Sequence, residues 1–303
     1  MERNNIRMFE SILGNDSIKT MLKQAINHNK VSHSYLMIGI SGIGKKMLAT
    51  EFAKAILCTQ QGEICNHCKS CIEFDSNNNP DFLCIEPDGN SIKIEQIREL
   101  QKKIQEKPII SNRKVYIIDD ADFMTKEAQN CLLKTLEEPP EFATIILIGS
   151  NENAFLTTIK SRCMIVHFNP IDDTYIKKYL KEQYQIDNIS QNMLDVFQGS
   201  IGKAITLKDK QEQYLQLESI VNNLKQKDLI DILQGAEVLY KSKDEIYEIL
   251  DYINILLLKK AKVNYEYTTC IKYVENTKKR LQKNANYDMC IDEMLFNMWE
   301  EVV

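Results

Sequence analysis

Residues Gly39-Ile40-Ser41-Gly42-Ile43-Gly44-Lys45 have the spacing of a loop that wraps phosphate. In such loops glycines let backbone N–H groups close on the anion, and the lysine reaches the terminal phosphates. The pattern ordinarily continues with Ser or Thr, whose hydroxyl oxygen ligates Mg²⁺. Here it continues with Lys46. An ammonium has three donors and no lone pair, so it cannot ligate a metal, and it puts a second positive charge near the cation's seat. Gly39, Gly42, Gly44 and Lys45 are the candidate phosphate-binding groups of a degenerate nucleotide site, one not expected to hydrolyse.

Three further groups of residues could do chemistry. The run Val115-Tyr116-Ile117-Ile118 ends in Asp119-Asp120. Asp119 would hold hydrated Mg²⁺. Asp120 stands where active ATPases of this type usually carry a water-polarising Glu, and it is one methylene shorter. A positioning error of about 1 Å can cost on the order of a hundredfold in rate. The plainer alternative is a strand-end acid that caps the next helix. Cys65-x-x-Cys68-x-x-Cys71 gives two overlapping metal-knuckle spacings, with Cys58 shortly before them. Four thiolates match a closed tetrahedral Zn²⁺ site of structural type. Reduced thiols or an iron–sulfur cluster are the alternatives, and His67 is a substitute ligand or a solvent-facing loop residue. Cys84, Cys131, Cys163, Cys270 and Cys290 read as small core residues in strands or helices. Lastly, Ser161-Arg162-Cys163 could project a guanidinium into a neighbour's phosphate site. An arginine supplied in trans is worth ~10³–10⁵ in rate, although a surface arginine by itself is far more often solvated or ion-paired.

The elements that must position these groups follow from hydrophobic patterning. Apolar runs at Ser34–Ile38, Asp81–Glu86, Lys114–Asp119, Ala143–Ile148 and Met164–Phe168 read as strands. Helical spacing separates them at Lys45–Cys58, Ile94–Ile104 and Lys126–Leu136. Continuous apolar strands alternating with helices predict a parallel sheet covered on both faces. After Asn169-Pro170 only helical patterns remain: Asp172–Tyr184, Ser190–Gln198 and Gly202–Lys210, then longer ones such as Asp228–Tyr240 and Asp244–Lys262. The expected fold is an α/β body over residues 1–168, a small helical lid over 169–206 and an all-α domain over 207–303, with the four-cysteine insert at 58–71.

Composition narrows the function. The net charge is −5, and residues 1–167 carry 20 basic against 21 acidic side chains. Free-standing nucleic-acid binding rests on clustered Lys and Arg, which this balance does not supply. No apolar run is long enough for a membrane span, and Met1-Glu2-Arg3-Asn4-Asn5 is no secretory leader, so the expected compartment is the cytoplasm. There thiols stay reduced, which turns the nine cysteines toward metal or core roles.

Taken together, the motifs resemble the clamp-loader branch of the AAA+ ATPases and, within it, the delta-prime family of bacterial DNA polymerase III subunits. The resemblance is carried by Ser32-His33-Ser34-Tyr35-Leu36, the glycine loop, and the four-cysteine insert after its helix. Asn130-Cys131-Leu132-Leu133-Lys134-Thr135-Leu136-Glu137-Glu138-Pro139-Pro140 and Ser161-Arg162-Cys163 complete it. It implies an AAA+ body, lid and collar in a five-subunit ring with tau/gamma and delta subunits. That ring opens a sliding clamp and closes it around primer-template DNA. It implies that Arg162 reaches ATP held by the adjacent motor subunit and that residues 207–303 join the collar. Motor subunits carry a lid arginine after a Gly-Ser pair; in Gly199-Ser200-Ile201-Gly202 the matching position is Gly202. Magnesium ligand, water-polarising Glu and lid arginine are thus all altered, so a subunit without intrinsic catalysis is expected, nucleotide binding without hydrolysis being left open. The rivals are an ATP-hydrolysing tau/gamma-type subunit and, from another class, a free-standing zinc-dependent DNA-binding protein.

Overall fold

Strand burial sets the order of the sheet. The computed structural model describes residues 8–60 and 64–303. Helix α1 (Asp16–Asn27) precedes β1 (Ser34–Ile38), and the glycine loop then leads into α2 (Lys45–Leu57). There follow α3 (Lys69–Asp75), β2 (Phe82–Ile85), α4 (Ile94–Ile104), β3 (Lys114–Ile118) and α5 (Lys126–Glu137). The body closes with β4 (Ala143–Gly149), α6 (Thr157–Lys160) and β5 (Met164–His167). Every residue of β1, β3 and β4 is buried, whereas β2 and β5 are partly exposed. The fully buried strands are accordingly central: the order is β2-β3-β4-β1-β5, with every pairing parallel.

Register ties the strand ends together. Ser34 pairs with Ile145 and Ile38 with Gly149, while Tyr35 pairs with Met164 and Ile38 with His167. Because β1 has β4 on one side and β5 on the other, the loop leaving its carboxyl end sits at a switch point, where open parallel sheets receive ligands. The amphipathic reading of α4 holds: Ile97, Leu100 and Ile104 are buried in one cluster with Tyr116, Ile118, Leu132, Leu136 and Ile145.

Two compact units result. One runs up to Ile176 and includes Gly199–Gly202; the other comprises Lys177–Gln198 and Lys203–Val303. After β5 the described elements are all helical. They are α7 (Asp173–Tyr184), α8 (Gln191–Phe197), α9 (Ile201–Leu207), α10 (Gln211–Asn223), α11 (Leu229–Gly235), α12 (Glu237–Lys241), α13 (Ile246–Ala261), α14 (Tyr267–Gln282) and α15 (Tyr287–Val302). Within the second unit, buried Tyr214 and Tyr252 meet edge to face at 4.6 Å, and Leu257, Val274, Ile291 and Met298 fill the long-helix core.

Three expectations need correction. The single helix read over Asp228–Tyr240 is two, α11 and α12, divided at Ala236. Gly235 favours termination, and the Ala236 N–H tightens onto the Leu233 carbonyl at 3.2 Å instead of continuing the α-helical ladder. Helix α13 begins at Ile246, after a short 3₁₀ turn at Lys243–Glu245, not at Asp244. Cys163 lies in the turn between α6 and β5 rather than inside an element.

Candidate functional site

The glycine loop is built as its sequence requires. Gly42 and Gly44 hold φ values of +77° and +90°, and Gly44 caps α2. Lys45 is nearly buried, and its ammonium turns back into the loop. Its Nζ donates to the Gly39 carbonyl at 2.6 Å, the Ile40 carbonyl at 2.8 Å and Ser150 Oγ at 3.4 Å. Burial depresses the Lys45 pKa below the usual lysine value, against the pull of Asp120, Asp122 and Asp119.

Lys46 lies between two carboxylates. Its Nζ stands 2.9 Å from Asp119 Oδ2 and also bonds Glu86. The hydrogen bond to Glu86, then that to Asp119, raises the Lys46 pKa well above the ordinary lysine value despite partial burial. Asp119, on which the sequence reading places hydrated Mg²⁺, thus already faces a tethered cation. Parallel pairing of β2 with β3 brings these groups together, since Glu86 and Asp119 each follow directly after paired strand ends. Asp120 is in the left-handed backbone region at φ +47° and opens a 3₁₀ turn without a side-chain capping bond, so the helix-cap alternative finds no bond to support it.

A third segment closes on the loop from above α9. Ser200 Oγ donates to the Ser41 carbonyl at 2.8 Å, and the Gly202 N–H donates to the Gly42 carbonyl at 2.9 Å. A Cβ on Gly202 would lie 2.8 Å from the Gly42 Cα. No side chain fits at that approach unless the backbone shifts, so the arginine of motor subunits has no room at this position in the present arrangement.

Arg162 sits at the other end of the sheet. It follows α6 and precedes β5, and its carbonyl accepts from Ser34 Oγ at 2.6 Å, at the opening of β1. Strand β1 begins at Ser34 and ends just before Gly39, a span of about 16 Å at the rise of a parallel strand. The Arg162 backbone is therefore held a strand's length from its own phosphate loop. The side chain is about one-third exposed, with Nη2 2.6 Å from Glu137 Oε1. Its Nη1 donates to the Thr158 carbonyl at 2.9 Å and to Ser161 Oγ at 3.2 Å.

The four cysteines converge. The sulfurs of Cys58, Cys65, Cys68 and Cys71 all lie within 4.8 Å of one another, and those of Cys65 and Cys71 are 3.9 Å apart. A tetrahedron of thiolates at the usual Zn–S length has edges of about 3.8 Å, so the set fits the ion. The Cys68 N–H points to Cys65 Sγ at 3.3 Å and the Cys71 N–H to Cys68 Sγ at 3.4 Å, as a knuckle requires. Burial raises the thiol pKa values of Cys58 and Cys71. At Cys68 burial is outweighed by hydrogen bonds, chiefly from Thr59, and the value falls to about 6. His67 is exposed, with Nδ1 2.6 Å from the Cys65 carbonyl, and is not in the cluster. Of the remaining cysteines Cys270 and Cys290 are buried, whereas Cys84, Cys131 and Cys163 are only partly so.

These arrangements can be set beside known proteins. A profile of the family described as DNA polymerase III, delta subunit, matches residues 14–172, just over half of the chain. The chain belongs to the DNA polymerase III delta-subunit family. The DNA polymerase III subunit delta' of Bacillus subtilis is 39% identical over 167 residues, covering 55% of this chain and 51% of that protein. The DNA polymerase III subunit tau/gamma of Haemophilus influenzae is 32% identical over 212 residues, covering 67% of this chain and 31% of that protein. The chain thus spans between about a third and a half of these relatives. A solved gamma subunit-related protein from Thermotoga maritima aligns over 95% of this chain and 99% of its own, at 18% identity and a TM-score of 0.48. The relatives of this DNA polymerase III family member include both delta' and tau/gamma subunits.

Several residues that shape this delta-subunit-family site escape the sequence. Glu86 is one; an acid directly after a strand that pairs with the strand of Asp119 is the signal that could reveal it. Asp122 is another: its Oδ2 accepts the N–H groups of Ser150 and Asn151, both at 3.1 Å, and braces the ends of β3 and β4. Ser150 completes the set, while Ser34 and Glu137 stand in motifs already quoted and only their pairing with Arg162 is hidden. Each meets its partner only through strand order, which no local pattern encodes.

Proposed function

We propose that this chain is a non-hydrolysing clamp-loader subunit of delta-prime type, which lends Arg162 to ATP held by an adjacent tau/gamma subunit. One observation carries the reading. The Lys46 ammonium bridges Glu86 and Asp119 where a magnesium-dependent ATPase needs a hydroxyl oxygen and a vacant carboxylate. Lys45 engaged with its own loop carbonyls and the close approach of Gly202 to Gly42 favour the same conclusion. Arg162, hung from the opposite end of β1, is suited to a reaction outside its own subunit. The partners proposed are tau/gamma and delta subunits in a pentameric ring, with the sliding clamp and primer-template DNA handled by the assembly. Residues 207–303 are the proposed collar and 169–206 the proposed lid. Cys58, Cys65, Cys68 and Cys71 would hold structural Zn²⁺, a closed four-sulfur shell that shapes the insert and leaves no position for catalysis.

The test compares the isolated chain with the reconstituted complex. We expect no appreciable ATPase from the chain alone. In the complex, Arg162→Ala should lower DNA-stimulated ATPase at least tenfold, at the modest end of what an arginine in trans contributes. Full activity in that mutant complex would overturn the finger assignment, and brisk turnover by the isolated chain would overturn the stator. The similarity to tau/gamma subunits over two-thirds of the chain favours the second reading, an active ATPase. Turnover by the chain alone is its signature.

A further inference from the structure

The side chain of Arg162 has a fixed base and a tethered tip. At its base the backbone is locked. Ser34, fully buried, donates to the Arg162 carbonyl at 2.6 Å, and the Arg162 N–H bonds the Ile159 carbonyl at 3.0 Å. The next residue, Cys163, is partly buried, and burial pushes its thiol pKa up to about 11. At the tip, the guanidinium has one carboxylate partner, Glu137, at 2.6 Å. Thr158 and Ser161 contribute neutral acceptors only.

Glu137 stands in an awkward place for its own helix. It is the last residue of α5, where carbonyl dipoles disfavour a carboxylate. Pro139 and Pro140 follow after Glu138, so the helix cannot extend and the carboxylate stays at this end. An anionic side chain that disfavours its helix end, yet meets an arginine at close range, is accounted for by what it does to that arginine. Both partners are partly exposed, 32% for Arg162 and 48% for Glu137, so the tie is weak and exchangeable. A triphosphate carries more charge and more acceptor oxygens than one carboxylate, and wins the guanidinium when presented to it.

We infer that Glu137 is a positioning residue that parks the Arg162 guanidinium against its own subunit and yields it to a neighbouring subunit's triphosphate. The inference rests on the finger reading above. No covalent step is involved; one anion replaces another as the partner of a cation that never leaves its charge state. The consequence is a restraint on idle turnover. In the absence of DNA the complex holds the arginine back, and productive assembly supplies the competing phosphate in the right place.

The experiment uses the reconstituted complex, with ATPase measured without and with primed DNA. Glu137→Gln keeps the shape of the side chain and removes the charge. We expect its unstimulated rate to rise two- to fivefold and its stimulation ratio to fall by a similar factor. Glu137→Asp, which keeps the charge on a shorter arm, should recover at least half of the wild-type ratio. The melting temperature of all three forms should agree closely, which separates a parking role from a structural one. An unstimulated rate in Glu137→Gln equal to or below wild type, while Arg162→Ala still abolishes stimulation, overturns the parking role and leaves the finger standing. Wild-type rates in Arg162→Ala remove the finger itself, and this inference with it.

Discussion

Lys46 shows how one side chain can take over the duty of an ion. In a magnesium site the metal screens carboxylates that would otherwise repel each other. Here an ammonium on the chain does so, bonded to both Glu86 and Asp119. Replacing it with the hydroxyl that active sites carry should therefore cost stability before it adds function. We expect Lys46→Thr to lose about 1 kcal/mol, since the pair is half-exposed and leaves two acids facing each other. Thermal denaturation should show that Mg²⁺ restores part of this loss in the variant and leaves the wild type unmoved. Hydrolysis should not appear, because Asp120 and Gly202 remain. A wild-type melting point that climbs with Mg²⁺ to the same extent would contradict the ammonium's role.

At the scale of elements, the four-cysteine insert is held in two ways. Its sulfur cluster gathers the chain around Cys58 and Cys65–Cys71, but α3 is also anchored without metal. Ser70 Oγ and Ser111 Oγ meet at 2.9 Å, Asn79 donates to Ser70 and Ser111 Oγ donates to the Leu57 carbonyl, all in buried positions. Phe74 packs against Phe82 of β2 at 4.6 Å. We expect one zinc per chain by elemental analysis, lost in Cys68→Ser. Chelation should release hydrogen-exchange protection around residues 64–68 while α3 stays protected. Loss of protection across α3 and β2 together would show that the metal holds the whole insert.

The same elements show what the sequence could and could not tell. Ile94–Ile104 was legible to the residue, since its apolar positions recur with helical period, and the three central strands were legible because burial on both faces demands continuous apolar runs. Helix α3 was not read: its seven residues Lys69–Asp75 are too few to establish a period, and its start coincides with the cysteine motif, Cys68 being its N-cap and Cys71 lying in its first turn. Of the candidate site, Gly42, Lys45 and Asp119 could be named from local pattern. Glu86 and Ser150 could not, nor could the pairing of Glu137 with Arg162, because these roles arise where parallel strands and helix ends meet across tens of residues.

For the molecule as a whole, charge is the informative quantity. A net charge of −5, with near balance in the body, gives no electrostatic footing for a phosphate backbone. The isolated chain is expected to bind primed DNA no better than an unspecific contact, with Kd above ~10⁻⁵ M near physiological salt by fluorescence anisotropy. Tight, salt-sensitive binding would instead favour the free-standing DNA-binding alternative. Among the described residues no helix is long and apolar enough to cross a membrane.

The two ends of β1 carry separate fortunes. The strand closes into the glycine loop and opens at Ser34, from which Arg162 is suspended. Substitutions that silence one end are expected to leave the other end's hydrogen bonds intact, because the buried strand keeps the two a strand's length apart. On the function proposed above, a lineage could in this way forfeit its own engine without loss to the next subunit's. Engineering turnover into the glycine-loop end would demand changes at Lys46, Asp120 and Gly202 together, and none of these touches the hydrogen bonds that hold Arg162.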